Sequence, residues 1–118
     1  MINQDHLKEL RERIEKISLY LKIDEKRMEL NEEELKTQDP DFWNDSKKAE
    51  AQMKEIRGLK FWIDAYEELD TLFGDVEVLY EFVKEGEAEE SELDEHADKL
   101  TQKIEELELK NMLSGEED

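Results

Sequence analysis

Apolar residues recur at alternating spacings of three and four along most of the chain, and this repeat restricts the fold more than any other feature. The longest unbroken run is Trp62, Tyr66, Leu69, Phe73, Val76, Tyr80 and Val83. Such spacing places apolar side chains on one face of an α-helix that packs along another helix. The 118 residues include one proline and four glycines, too few turn residues for a many-stranded sheet. The sequence therefore predicts an all-α protein.

The repeat also divides the chain into segments. The predicted elements are a helix at about 2–36, a loop at 37–45, a long helix at 46–85, a helix at 91–112 and the start of a linker at 113–118. We expect a single domain over residues 1–118, an elongated antiparallel helical bundle or coiled coil of three to four helices with one long central helix.

The first helical segment has an interruption near residues 22–24. Asp24 is suited to an N-cap, and Met28 stands where an apolar contact with Ile23 would complete the cap. The register also places Leu35 at an inward position. The pattern does not decide between one kinked helix and two separate helices.

The chain is strongly acidic, and this bears on its partners. It carries 36 acidic against 17 basic residues, a net charge of −19 with both histidines neutral. Such a charge opposes nonspecific binding to nucleic acid and opposes self-association, so we expect a monomer that does not bind DNA. Residues 46–60 reverse the trend, because cations outnumber acids there. The candidate partner-binding residues are Lys47, Lys48, Lys54 and Arg57, although a mixed solvated face is the simpler explanation for them.

Two large aromatic residues lie within the polar loop. Pro40 disfavours helical backbone at Asp39, so this loop separates the helices. Phe42 and Trp43 follow directly. We expect them to close the end of the bundle, and an exposed anchor for a partner is the alternative.

Little in the sequence supports catalysis or metal binding. Cysteine is absent, which excludes disulfides, thiolate nucleophiles and cysteine-bound zinc. His6 and His96 lie in different helices, and neither belongs to a metal-binding spacing. We therefore expect no catalytic residue, cofactor or metal. A carboxylate metal bundle stays open as an alternative that metal analysis would test. No apolar run approaches the roughly 18 residues of a membrane span, so a cytoplasmic protein without a membrane partner is expected.

The loop and its flanks resemble a known family. Asp39-Pro40-Asp41-Phe42-Trp43-Asn44-Asp45, followed by Lys48-Ala49-Glu50 and a long helix, is similar to the N-terminal domain of bacterial peptide chain release factors. The aromatic pair resembles the release factor 2 branch of that family. Residues 20–26 resemble the same branch, and residues 108–116 resemble the family's segment just before its second domain, so the resemblance covers nearly the whole chain.

The resemblance implies a function in translation termination. A class-I release factor of this branch directs termination at UGA and UAA in the cytoplasm. Its first domain reaches the ribosomal stalk base, contacts the protein and ribosomal RNA there, and is linked to the release-factor GTPase. The family's Gly-Gly-Gln and Ser-Pro-Phe motifs are absent from this sequence. The resemblance implies that residues 113–118 begin a linker to catalytic and decoding domains that this sequence lacks. The chain itself is therefore not expected to be an enzyme, although a full-length factor triggers peptidyl-tRNA hydrolysis. The composition fits a free-standing helical adaptor or chaperone-like coiled coil equally well.

Overall fold

The computed structural model describes residues 1–114, which form four α-helices and one short 3₁₀ turn. The elements are α1 (Gln4–Leu21), α2 (Ile23–Lys36), the 3₁₀ turn (Pro40–Asn44), α3 (Ser46–Lys84) and α4 (Glu90–Ser114). The molecule measures 60 × 29 × 18 Å. The predicted all-α class with a long central helix is confirmed. The final helix continues through Ser114, whereas residues 115–118 of the predicted linker lie outside the described part of the chain.

The first helical segment consists of two helices, because one residue between them adopts a left-handed backbone conformation. Lys22 adopts the left-handed conformation with φ 53°, and its N–H donates to the Leu19 carbonyl at 3.2 Å. The expected Asp24 cap is wrong, since α2 begins at Ile23 and Asp24 lies in its first turn. Ile23 becomes the buried residue after the break. The register therefore shifts, and the break explains why two predicted inward residues face solvent, Met28 (66 % exposed) and Leu35 (63 % exposed).

The main core forms where α1, α4 and the second half of α3 lie side by side. The inward residues of α1 are Leu10, Ile14, Ile17 and Leu21, those of α3 are Leu69, Phe73, Val76 and Tyr80, and those of α4 are Leu93, Ala97, Leu100, Ile104 and Leu107. These are the positions that the three-and-four repeat predicts. Arg13 of α1 reinforces the contact through two hydrogen bonds to Glu108 of α4, at 2.7 and 3.2 Å. The repeat thus specifies this three-helix section closely.

Most of the first half of α3 has α2 as its neighbouring helix. The end of α4 reaches the level of Phe61, where Lys110 Nζ lies 5.3 Å from the ring centroid. Beyond that point, α2 and residues 46–63 of α3 form a two-helix extension, here called the arm. Its buried apolar residues are Ala49, Ile56, Leu59 and Ile63, whereas Ile23 at the start of α2 belongs to the main core. The arm accounts for much of the molecule's length and carries the loop at its far end.

Candidate interaction surface

The loop between α2 and α3 is a rigid turn at the end of the arm, and we refer to residues 36–48 as the tip. Asp39 Oδ1 accepts a hydrogen bond from the Asp41 N–H at 2.9 Å, and the Asn44 side chain donates to Asp41 Oδ1 at 3.2 Å. Asp45 caps α3 by accepting from the Lys48 N–H at 3.2 Å. Pro40 occupies the first turn of the 3₁₀ helix, where its missing N–H leaves no donor unpaired. The short polar residues of the motif therefore hold the backbone.

The two aromatic residues of the tip differ in environment. Their rings pack edge to face with centroids 4.6 Å apart. Phe42 is half-buried, whereas Trp43 is 57 % exposed. The expectation that both close the bundle end is therefore wrong for Trp43. The helices α2 and α3 meet at this end. Two helices cover less surface than three do, so they leave the Trp43 indole exposed.

An open cavity of about 520 Å³ lies beside the aromatic pair. Phe42 forms part of its wall. The remaining lining comes from the ends of α2 and α3 and from the turn: Lys36, Asp39, Asp41, Asn44, Asp45, Lys48 and Gln52. The tip thus presents an aromatic side chain next to a depression of mixed polarity.

The structure divides the four candidate cations of α3 into groups. Lys47 and Lys54 are two helical turns apart, so they share the outward face of the arm. Arg57 is on the adjoining strip and pairs with Glu50 at 3.2 Å. Lys48 points around the helix toward the cavity. Within residues 1–114, no ion pair holds Lys47, Lys48 or Lys54, and all three are exposed.

The contact between α2 and α3 contains carboxylates whose positions the sequence pattern does not reveal. Glu33 is buried, accepts from Gln52 Nε2, and pairs with Lys36 at 3.0 Å, which raises the pKa of Lys36. Glu29 lies close to Glu55 of α3. Desolvation, followed by the interaction with Glu55 and the charge of Glu33, raises the pKa of Glu29. Adjacent glutamates in the sequence gave no signal of which ones face α3.

A second apolar surface lies where α1 and α4 end. Ile17 and Tyr20 face Asn111 and Met112 across a cavity of about 360 Å³. Tyr20 and Met112 are exposed. The Asn111 side-chain carbonyl is buried without a hydrogen-bond partner in the described structure. The sequence pattern indicates no role for these side chains.

The described residues offer no site for a metal and no membrane-spanning segment. No group of three or more histidine, aspartate or glutamate side chains in residues 1–114 is arranged to hold a metal ion. None of the helices in that range is both long and apolar enough to cross a membrane.

Comparison with known proteins identifies the chain's relatives. The family model described as the PCRF domain matches residues 24–118. Peptide chain release factor 2 of Tolumonas auensis is 37 % identical over 114 residues, and that of Nitratiruptor sp. is 38 % identical over 114 residues. Each alignment covers 95 % of this chain and 31 % of the relative, so the chain spans about a third of the relatives' length. No solved structure matches the chain significantly.

Proposed function

Because the chain belongs to the PCRF domain family, we propose that it is the N-terminal, ribosome-interacting domain of a class-I peptide chain release factor. The relatives are named peptide chain release factor 2, and the Phe42–Trp43 pair resembles that branch. The proposed role is therefore in termination at UGA and UAA, in the cytoplasm. Its partners are the stalk-base protein of the ribosome, the ribosomal RNA nearby and the release-factor GTPase.

One observation supports an RNA contact on one side of the domain. Lys47 and Lys54 share an exposed helical face, and no ion pair within residues 1–114 neutralises them. In a chain with a net charge of −19, a face with two unpaired lysines repels phosphates less than a carboxylate-rich face does. Arg57 adds a further cation at the edge, although Glu50 offsets its charge. We assign this outward face of the arm to the RNA contact, with protein contacts supplying the rest of the affinity.

The chemistry of peptide release is assigned to the remainder of a full-length factor. The chain contains no Gly-Gly-Gln to position a water at the ester bond and no Ser-Pro-Phe to read a codon. We therefore propose that this chain does not itself hydrolyse peptidyl-tRNA. We also propose that it binds as a monomer. Measurable peptide release by the chain alone, with any stop codon, would contradict this assignment.

Charge reversal on the arm tests the RNA contact. The double variant Lys47→Glu, Lys54→Glu should bind ribosomes more weakly, because two phosphate neighbours lose their cations. The log–log slope of affinity against salt should fall by roughly one unit per phosphate contact removed. Affinity is measured with a fluorophore on an introduced cysteine, since the chain has no cysteine of its own.

The control for this experiment is the double variant Lys8→Glu, Lys99→Glu. Both lysines are exposed and lie on α1 and α4, away from the arm. Their replacement changes the net charge by the same amount as the Lys47→Glu, Lys54→Glu variant does. The control should retain the affinity and the salt slope of the unmodified chain. Equal weakening of both double variants would show that net charge alone matters and would overturn the assignment of the outward face.

A further inference from the structure

Trp43 is exposed although the hydrophobic effect favours its burial. The chain has two tryptophans, and Trp62 packs against the main core, whereas 57 % of Trp43 is exposed to solvent. The Phe42 ring supports one side of the indole at a centroid distance of 4.6 Å and leaves the rest open. A large aromatic side chain in this situation has much apolar area to bury against a partner.

The backbone beneath Trp43 is already ordered. Pro40 fixes one backbone angle, the Phe42 N–H donates to the Asp39 carbonyl at 3.0 Å, and the Asp41 carboxylate accepts from Asn44. An aromatic side chain on a braced turn loses little conformational freedom when it binds, so more of the contact energy appears as affinity. The cavity of about 520 Å³ beside the pair would receive a side chain from the same partner.

The charges around the indole favour protein over RNA as that partner. The turn itself, residues 39–45, carries three carboxylates, Asp39, Asp41 and Asp45, and no cation, whereas Lys36, Lys47 and Lys48 flank it. Hydrogen bonds hold all three carboxylates at the turn, so they cannot swing away from an approaching phosphate. Trp43 therefore belongs to the acidic part of the tip.

From this geometry we propose that Trp43 is the anchor by which the domain docks into an apolar pocket of a ribosomal protein, with a basic or N–H-rich rim around the pocket. The Asp39, Asp41 and Asp45 carboxylates complement that rim. The proposal rests on the proposed ribosome binding and divides the domain's contacts between two surfaces. The outward face of α3 meets RNA, and the tip meets protein.

Truncation of the indole tests the anchor. Trp43→Ala should weaken binding to bacterial ribosomes by about tenfold or more, as loss of a central aromatic anchor does. Its melting temperature should stay close to that of the unmodified chain, because the ring is largely exposed. The matched control is Tyr20→Ala, another exposed aromatic, which lies near the end of α1 beside a different cavity. It should change the affinity less than twofold.

Three outcomes separate this proposal from the proposed function. If the unmodified chain binds ribosomes and Trp43→Ala binds equally well, the anchor is refuted and the proposed function stands. If the unmodified chain does not bind ribosomes, the proposed function fails and the anchor fails with it. A titration with protein-free ribosomal RNA decides the partner class: Trp43→Ala should leave that weaker binding unchanged, and a loss there would overturn the assignment to protein.

Discussion

At the scale of single residues, a glycine inside α3 and a glycine just after its end have opposite physical roles. Gly86 follows the helix at φ 78°, where the Glu87 N–H donates to the Phe82 carbonyl at 2.8 Å and the Gly86 N–H donates to the Val83 carbonyl at 3.0 Å. These two bonds form a Schellman motif, which requires a left-handed residue. Gly58 lies inside α3 with ordinary helical backbone. A Cβ added at either position would meet no atom within 4 Å, so backbone conformation alone separates them.

The two glycine substitutions should therefore change stability in opposite directions. Gly86→Ala should destabilise the chain by about 1 kcal/mol, because an alanine side chain strains the left-handed backbone. Gly58→Ala should stabilise it by about 0.5–1 kcal/mol through higher helix propensity. Urea unfolding monitored by circular dichroism measures both. A shift of the same sign for the two variants would show that their backbone conformations have been misassigned.

Residue exposure was only partly predictable from sequence. The inward residues of α1, such as Ile14, follow from spacing because neighbouring helices cover them on several sides. Trp43 was expected to be buried because aromatic residues usually are, yet its exposure depends on how many helices reach the tip. That number is a property of the tertiary arrangement. The candidate cations could be found by composition, but not the division that places Lys48 by the cavity and Lys54 on the outward face.

At the scale of elements, α2 depends on polar contacts more than the other helices do. Its buried residues are Ile23 and Glu33, and ion pairs from Arg27 to Glu67 and from Lys60 to Glu34 join it to α3. Exposed ion pairs contribute little, roughly 0–1 kcal/mol each. The arm should therefore unfold locally before the three-helix section does.

The Glu29–Glu55 contact predicts an unusual dependence of stability on pH. The pKa of Glu29 is raised above its ordinary value of 4.5, so the folded chain binds this proton more tightly than the unfolded chain does. The resulting destabilisation is fully present above the raised pKa. It disappears as the pH falls toward the unfolded-state pKa. Stability of the arm should thus increase between neutral pH and the ordinary glutamate range.

Glu55→Gln isolates this effect. The variant should be more stable than the unmodified chain at pH 7, because the like-charge contact is gone, and the two proteins should converge as the pH is lowered toward the ordinary glutamate pKa of 4.5. Glu77→Gln removes an exposed carboxylate outside the arm and controls for the general reduction in negative charge. Urea midpoints at the two pH values give the comparison. An advantage for Glu55→Gln that grows on acidification would contradict the raised pKa.

The helices themselves could be predicted well, and their register after a break could not. The three-and-four repeat identifies α1, α3 and α4, because a long apolar repeat in a chain with so few turn residues indicates packed helices. The repeat also continues across Lys22 to Met28 and Leu35, so it predicts the wrong inward face for α2. A single left-handed residue rotates every following side chain, and lysine gives no sequence signal for that conformation.

At the scale of the whole molecule, the arm makes the domain much longer than a compact protein of its size. The Cα radius of gyration is 18.5 Å, against about 13–14 Å for a compact chain of this length. Small-angle scattering should give a value near 18.5 Å and the mass of a monomer at both low and high salt. A radius near that of a compact sphere would mean that the arm folds back. A doubled mass would refute the monomer.

The most direct test of the whole account is a titration of the labelled chain against two ribosome preparations, one complete and one lacking the stalk-base protein. We expect weak binding to complete ribosomes, because the chain lacks the decoding contacts that add avidity in a full-length factor. Removal of the stalk-base protein should reduce the affinity clearly, leaving a residual, salt-sensitive contact through Lys47 and Lys54. Equal binding to both preparations would contradict the stalk assignment, and no binding to either would contradict the ribosomal role of this domain.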